Sequence, residues 1–159
     1  TDDDEDGRRF FSFLQLSMKI GTATQVLRKG EAVNNRRPQL AIDQAFKTLR
    51  SGLKLYVERP GDGPKITPGS KVSVHYEGWL AEDYSLFDSS RTKHRPFEFE
   101  QGAGAVIKGW EEGLEGIRAG TKLQLVIPAK MAYGEKGVPG MGIPENAELI
   151  FKVEVLKVT

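Results

Sequence analysis

The sequence predicts an α+β domain in which an antiparallel sheet packs one face against a single short helix. The helix is predicted over residues 106–117, whose apolar residues recur at the spacing of one helix face: Ile107, Trp110, Leu114 and Ile117. The segments on either side, residues 97–100 and 122–127, alternate with the period of two that is typical of strands. A lone helix flanked by strands is expected to lie across the sheet with its Trp110 face down.

The two faces of this predicted helix differ. The face opposite Trp110 is charged and is expected to be solvated, with Lys108, Glu111, Glu112 and Glu115. The helix also contains three glycines, which are poor helix formers: Gly109, Gly113 and Gly116. Their presence predicts that backbone or rings pack close to it.

From Ser51 onward, short alternating runs separated by glycine and proline predict about five strands. They fall near residues 53–57, 71–79, 97–99, 122–127 and 149–155. Alternation places Val72, Val74 and Tyr76 on one face of the second run. We therefore expect residues 51–159 to form one domain whose sheet has its other face largely wet.

Residues 1–50 are predicted to be an extension of different texture. It begins with an acidic tail over residues 2–6, followed by an aromatic segment at residues 10–16 that is expected to pack on the domain or on a partner. A partly helical character is predicted from an amphipathic helix over about residues 38–50, starting at Pro38, with the stripe Ile42, Ala45, Phe46 and Leu49. Two interpretations stay open: this helix docks on its own domain, or it mediates self-association or binds another protein.

Composition excludes several classes of function. The formal net charge of +1 over 159 residues gives no reason to expect a nucleic acid partner. The absence of cysteine excludes disulfides and thiolate catalysis, and fits reducing and oxidising compartments equally. No apolar run approaches the roughly 18 residues of a membrane span. A soluble cytoplasmic protein is favoured, and because the first residue is Thr1, a processed exported or organellar form is the alternative.

The residues that could carry chemistry are mainly aromatic. No metal or cofactor site is expected, since the imidazoles are limited to His75 and His94 and no phosphate-binding loop is present. The inward faces and the loop at residues 128–146 hold a nearly uncharged set: Tyr76, Phe97, Phe99, Trp110, Tyr133 and Phe151. Any one of these rings reads as core. Together with Asp88, they predict an apolar ligand pocket with a few placed polar groups.

Five ordered motifs make this part of the chain resemble a known family. They are Val74-His75-Tyr76-Glu77-Gly78, Phe87-Asp88-Ser89-Ser90-Arg91, Pro96-Phe97-Glu98-Phe99, Val106-Ile107-Lys108-Gly109-Trp110-Glu111-Glu112-Gly113 and Ala132-Tyr133-Gly134, followed by Ile143-Pro144 and Leu149-Ile150-Phe151. They closely resemble the FKBP-type peptidyl-prolyl isomerases, the macrolide-binding immunophilins. The resemblance covers residues 51–159 and leaves residues 1–50 outside it.

The resemblance implies a strongly curved sheet, a half-barrel wrapped around the helix, with the active site between them. Carried over position by position, it implies four catalytic residues: Asp88, Ile107, Trp110 and Tyr133. It implies seven substrate-binding residues: Tyr76, Phe87, Phe97, Phe99, Val106, Ile143 and Phe151. The departures from the family pattern concern the rim, and so substrate and macrolide preference: Lys93, Val138, Glu145 and the extra residue near Met141-Gly142.

The function implied by the resemblance is cis-trans isomerisation of X–Pro bonds, which assists protein folding. Its expected partners are proline-containing peptides and client proteins, with macrolide immunosuppressants as inhibitors. The alternative is a weakly catalytic or non-catalytic assembly subunit that docks through residues 1–50. Because twisting an amide needs no proton transfer, a flat pH profile is expected. The side chains whose unperturbed pKa lies near neutrality are histidines, and neither His75 nor His94 is assigned to the pocket.

Overall fold

The computed structural model describes residues 45–159. Within them lie seven strands, one α-helix and two short 3₁₀ turns. In chain order these are β1 (Lys47–Thr48), β2 (Lys54–Arg59), β3 (Lys71–Leu80), β4 (Leu86–Ser89), β5 (Phe97–Glu100), α1 (Lys108–Leu114), β6 (Lys122–Ile127), the turns Ala129–Met131 and Pro139–Met141, and β7 (Leu149–Val158). No helix within this described part of the chain is both long and apolar enough to cross a bilayer.

The strands form one antiparallel sheet in the order β1-β2-β6-β7-β3-β4, with β5 paired to β3 off this path. The last strand of the chain, β7, therefore lies in the interior of the sheet between β6 and β3. The outer edge of β3 is shared, since its first half pairs with β5 and its second half with β4. The prediction of an antiparallel sheet with one helix is confirmed.

The helix lies against the sheet at two of its glycines. A Cβ atom added to Gly109 would lie 2.5 Å from the Ile127 side chain, and one added to Gly113 would lie 2.9 Å from Leu125. Both neighbours belong to β6, so the absence of side chains lets α1 approach this strand closely. At position 116, glycine is required by the backbone conformation and not by close packing. The φ of Gly116 is +82°, and a Cβ added there would meet nothing within 4 Å.

The helix predicted to run to about Arg50 is wrong at its C-terminal end. Lys47 and Thr48 instead form β1 and pair with Leu55 and Lys54 of β2. The predicted stripe is also divided, because Phe46 packs on Tyr56 at a ring-centroid distance of 5.9 Å whereas Leu49 packs against the core. Hairpin pairing thus outweighs helix propensity here. The remaining features predicted before Ala45, the acidic tail and the aromatic segment included, lie outside the described residues.

The face of the sheet opposite α1, called the outer face below, is less wet than expected. At one end the register places Val126, Ile150 and Trp79 side by side on β6, β7 and β3. Trp79 is 8% exposed and Ile150 4% exposed, yet neither belongs to the core cluster beneath the helix. The expectation of a largely solvated outer face holds for its charged end, around Glu154, and is wrong for this apolar row.

Candidate active site

The centre of the site is the indole of Trp110, which α1 holds fully buried against the inner face of the sheet. Three rings meet it edge-on, with centroid distances of 5.2 Å to Tyr76, 5.4 Å to Phe151 and 5.8 Å to Phe99. Phe97 follows at 6.1 Å. These are favourable edge-to-face geometries for aromatic pairs, so four rings from β3, β5 and β7 surround the indole.

Strand alternation explains how these rings meet. Phe97 and Phe99 are two residues apart on β5, share a face and stack with centroids 5.7 Å apart. On β7, Phe151 points inward and meets Phe87 of β4 edge-on at 5.7 Å. That last contact needs Gly78 between them, because a Cβ there would lie 2.7 Å from Phe87 and 2.8 Å from Phe151.

Asp88 brings a carboxylate to the edge of this ring cluster. The Tyr76 hydroxyl donates to Oδ2 at 2.7 Å, the Ser89 N–H donates to Oδ1 at 2.8 Å, and Lys93 Nζ lies 3.0 Å from Oδ1. The side chain is 0% exposed. Burial raises its pKa from 3.8 to about 7, and outweighs the opposing effects of Lys93, Tyr76 and Ser89. Asp88 is therefore an acid that titrates near neutrality inside the site.

The Tyr133 hydroxyl is the other polar group near the rings. It is buried, and no hydrogen-bond partner is found for it among residues 45–159. Burial, and then the charge of Asp88, raises the pKa of Tyr133 well above its ordinary value, so it is a neutral donor. A buried hydroxyl without a partner costs free energy. Such a cost is offset when a ligand supplies the acceptor.

Val106 and Ile107 precede the helix and form one margin of the cluster. Val106 is 8% exposed, and Ile107 is partly buried against the same core. The Ile107 carbonyl accepts the N–H groups of Trp110 and Glu111, at 3.0 and 3.1 Å. Its own N–H makes no backbone hydrogen bond within the described residues. Ile143, 1% exposed, packs into the same cluster.

The eleven predicted residues thus lie in the core of the domain or at its edge. Ten lie in the apolar cluster or pack against it: Tyr76, Phe87, Phe97, Phe99, Val106, Ile107, Trp110, Tyr133, Ile143 and Phe151. The eleventh, Asp88, joins it through Tyr76. The sequence analysis missed two contacts. Lys93 was noted only as a departure from the family pattern and is the charge partner of Asp88. Glu111 was expected to be solvated and instead accepts two backbone N–H groups.

A separate groove of about 240 Å³ lies on the outer face and has a different character. Its lining includes the charged side chains of Arg91, Lys122 and Glu154, together with His75. Of the eleven predicted site residues, it touches Tyr76 alone. No group of His, Cys, Asp or Glu within residues 45–159 is arranged to hold a metal ion.

The fold and the site together define a class of protein: a small antiparallel sheet and one helix enclosing a buried cluster of aromatic rings with few polar groups. The sequence profile of the FKBP-type peptidyl-prolyl cis-trans isomerase family matches residues 63–156. The chain belongs to this family.

Named relatives support the assignment. The chain is 51% identical over 94 residues to the peptidyl-prolyl cis-trans isomerase FPR2 of Saccharomyces cerevisiae, a match covering 59% of this chain and 69% of the relative. It is 44% identical over 108 residues to the peptidyl-prolyl cis-trans isomerase Fkbp12 of Drosophila melanogaster, covering 67% of this chain and 98% of the relative.

Solved structures agree with the fold. FkpA from Escherichia coli matches with a TM-score of 0.66 and 41% identity, over 73% of this chain and 52% of that one. AtFKBP13 matches with a TM-score of 0.65 and 35% identity, over 72% of this chain and 98% of that one. The matched region thus spans about half of the FkpA chain and nearly all of AtFKBP13.

Proposed function

We propose that the pocket around Trp110 catalyses cis-trans isomerisation of X–Pro peptide bonds and that this activity assists protein folding. The observation that carries the proposal is the fully buried indole ringed by four aromatic side chains. Such a cluster excludes water, and we propose that its margin receives a prolyl ring. The relatives named as peptidyl-prolyl cis-trans isomerases support the same conclusion.

The mechanism follows from the physics of the amide bond. Conjugation makes rotation slow, with a barrier of about 18–20 kcal/mol. Twisting the bond breaks the conjugation, so the carbonyl becomes less polar than in the planar state. A dry aromatic pocket therefore stabilises the twisted amide relative to water, which is preferential binding of the transition state. No covalent intermediate is needed.

Each predicted residue has a proposed role. Trp110 is the floor under the prolyl ring, and the surrounding rings exclude water. The Ile107 N–H and the Tyr133 hydroxyl hold the flanking carbonyls and so fix the axis of rotation. The buried Tyr133 hydroxyl, with no partner found within residues 45–159, supports this role. The remaining wall, rim and side residues are Tyr76, Phe87, Phe97, Phe99, Val106, Ile143 and Phe151.

Asp88 is proposed as the polar contact beside the rotating bond. The 2.7 Å hydrogen bond from Tyr76 and the ion pair with Lys93 fix its position.

As part of the same proposal, the sheet is strongly curved around α1. The contacts of α1 with four adjacent strands support that curvature: Trp110 meets rings of β5, β3 and β7, and Gly109 and Gly113 lie against β6.

The proposed ligands follow from the pocket. Peptides with an apolar residue before proline fit the apolar walls. We also propose that FK506 binds here in competition with substrate, since relatives from Neisseria meningitidis named FK506-binding protein are 45–48% identical to this chain.

The alternative, an assembly subunit docking through residues 1–50, would not require the polar groups of the pocket. Residues 1–50 and 51–159 are proposed as the two parts of the chain.

A tyrosine pair tests this function. The full chain should accelerate isomerisation of an X–Pro tetrapeptide and the refolding of a proline-limited protein. Tyr133→Phe should lower kcat/KM about tenfold because one hydrogen bond to the substrate is lost, while its melting temperature stays unchanged or rises because an unsatisfied hydroxyl is removed. Tyr56→Phe, a matched change on the outer face, should leave kcat/KM unchanged. A wild-type rate equal to background would overturn the proposed activity, and a fully active Tyr133→Phe would remove Tyr133 from the mechanism.

A further inference from the structure

The carboxylate of Glu111 accepts two hydrogen bonds from the loop that leads into the pocket rim. The Gly102 N–H donates to its Oε1 at 2.7 Å, and the Gly104 N–H donates to its Oε2 at 2.9 Å. Both carboxylate oxygens are therefore used on backbone donors two residues apart. Hydrogen bonds to an ionised acceptor at these lengths are the strong kind.

Apart from these two contacts, residues 102–105 have one backbone hydrogen bond, a long one from the Ala103 N–H to the Glu100 carbonyl at 3.4 Å. Gly102 and Gly104 have φ values of +85° and +73°, and a Cβ added to Gly104 would meet nothing within 4 Å. Ala103 and Ala105 are exposed, so no large side chain anchors the loop between Gln101 and Val106. Two glycines in one short exposed loop make it conformationally permissive. The carboxylate supplies the restraint that packing does not.

The same residue is tied to both sides of the pocket. Glu111 directly follows Trp110, and both donate their N–H groups to the Ile107 carbonyl, at 3.1 and 3.0 Å. The Glu111 carbonyl in turn accepts Gln101 Nε2 at 2.8 Å. One residue thus links the indole floor, the start of α1 and the loop that delivers Val106 and Ile107.

We propose that Glu111 is a positioning residue for the isomerase site: its carboxylate fixes the 102–104 loop and thereby holds the Ile107 N–H at the pocket rim. The inference rests on the proposed function, because Glu111 acts through Ile107 and touches no substrate itself. An acidic residue in a first helical turn also interacts favourably with the helix dipole. The dipole interaction depends only on the charge of Glu111. The two hydrogen bonds from the loop to its carboxylate, called the clamp below, depend also on the length of the side chain.

Three substitutions separate reach from charge. Glu111→Asp keeps the charge but shortens the side chain, Glu111→Gln keeps the length and one acceptor oxygen, and Glu111→Ala removes both. Glu112→Gln is the matched control, since its carboxylate lies on the same helix and accepts the Ser51 hydroxyl at 2.8 Å instead of the loop. The full chain is used throughout, at a temperature where every variant is folded by circular dichroism.

The expected order follows from the number of loop hydrogen bonds retained. Glu111→Ala and Glu111→Asp should lower kcat/KM about tenfold, mainly through kcat, because a mispositioned Ile107 N–H no longer fixes the axis of rotation. Glu111→Gln should lose about threefold, and Glu112→Gln should match the wild type. Amide exchange at Gly102 and Gly104, followed by NMR, should accelerate in the same order.

The contrary outcomes are distinct. If the loop amides exchange faster while kcat/KM is unchanged, the clamp is structural only and the inference is overturned. If Glu111→Asp keeps full activity, the dipole explains the residue and the inference is overturned as well. An inactive wild-type protein would overturn the proposed function itself. This outcome is distinguishable from failure of the inference about Glu111, because it is seen in the wild type without any variant.

Discussion

Two carboxylates on opposite faces of the same sheet, the buried Asp88 and the partly buried Glu154, have pKa values that are shifted in opposite directions. On the inner face, burial raises the pKa of Asp88 to about 7 despite one ion pair with Lys93. On the outer face, burial also acts to raise the pKa of Glu154, but its hydrogen bond to Arg91 at 2.8 Å and the charges of Arg91, Lys122 and Arg59 outweigh it, and the pKa is lowered.

The difference comes from hydration and from the number of nearby cations. The Glu154 side chain is 27% exposed and is shared by two arginines, whereas Asp88 is 0% exposed and has one lysine. Adjacent residues of β3 separate the two environments, since Tyr76 points into the rings and His75 outward to Ser90, with Nδ1 2.8 Å from Oγ. One strand therefore supports a buried ring cluster and a solvated ion-pair network at once.

The largest expected effect lies on the inner face, at Trp110. Replacing a fully buried indole by alanine should lower the free energy of unfolding by about 3–5 kcal/mol and abolish measurable isomerase activity, because water reaches the pocket floor. Urea unfolding and an X–Pro peptide assay measure the two losses. Trp110→Phe, which keeps a ring, should fold and retain partial activity. Full activity in a folded Trp110→Ala would contradict the dry-pocket mechanism.

An intermediate effect is expected from the pH dependence set by Asp88. Because its pKa is raised from 3.8 to about 7, the folded state keeps this proton over a range where the unfolded state has lost it. The free energy of unfolding should therefore fall as pH rises from about 4 to about 7, by at most about 4 kcal/mol. Urea titrations at several pH values should show this fall in the wild type and its absence in Asp88→Asn.

The same variant sharpens the expectation of a flat activity profile. That expectation rests on the absence of a proton-transfer step, and the raised pKa of Asp88, about 7, places a group that titrates near neutrality inside the site. A limb in kcat/KM near pH 7 that persists in His75→Ala and disappears in Asp88→Asn would identify this carboxyl. A stability difference between wild type and Asp88→Asn that does not vary from pH 4 to pH 7 would contradict the raised pKa.

The smallest effect is expected on the outer face. Glu154→Gln should cost less than about 1 kcal/mol, since its arginine partners are about half exposed and solvent screens the pairs. Its pKa is lowered, so the contribution is present above the ordinary value near 4.5 and is lost as pH falls below it. Thermal melts at pH 7 and pH 3 test this, and kcat/KM should not change. A tenfold loss of activity would couple the two faces.

The ring cluster around Trp110 was predictable because its residues lie in local patterns. The three- and four-residue spacing around Trp110 and the alternation at Tyr76, Phe97 and Phe99 depend on backbone geometry that each short segment adopts by itself. The motif at Asp88 is likewise local, because it consists of the consecutive residues 87–91. Such signals are carried by neighbouring residues, and the structure brings the rings that they indicated together around the Trp110 indole.

The sequence by itself determined the α+β class, the inward aromatic set and the family. Only the tertiary structure decided the raised pKa of Asp88, the Glu111 clamp on residues 102–104 and the strand at Lys47–Thr48. Each of these depends on burial or on a partner elsewhere in the fold. Desolvation, hydrogen-bond reach and strand pairing are set by what the completed sheet places next to a residue, and no local pattern contains that information.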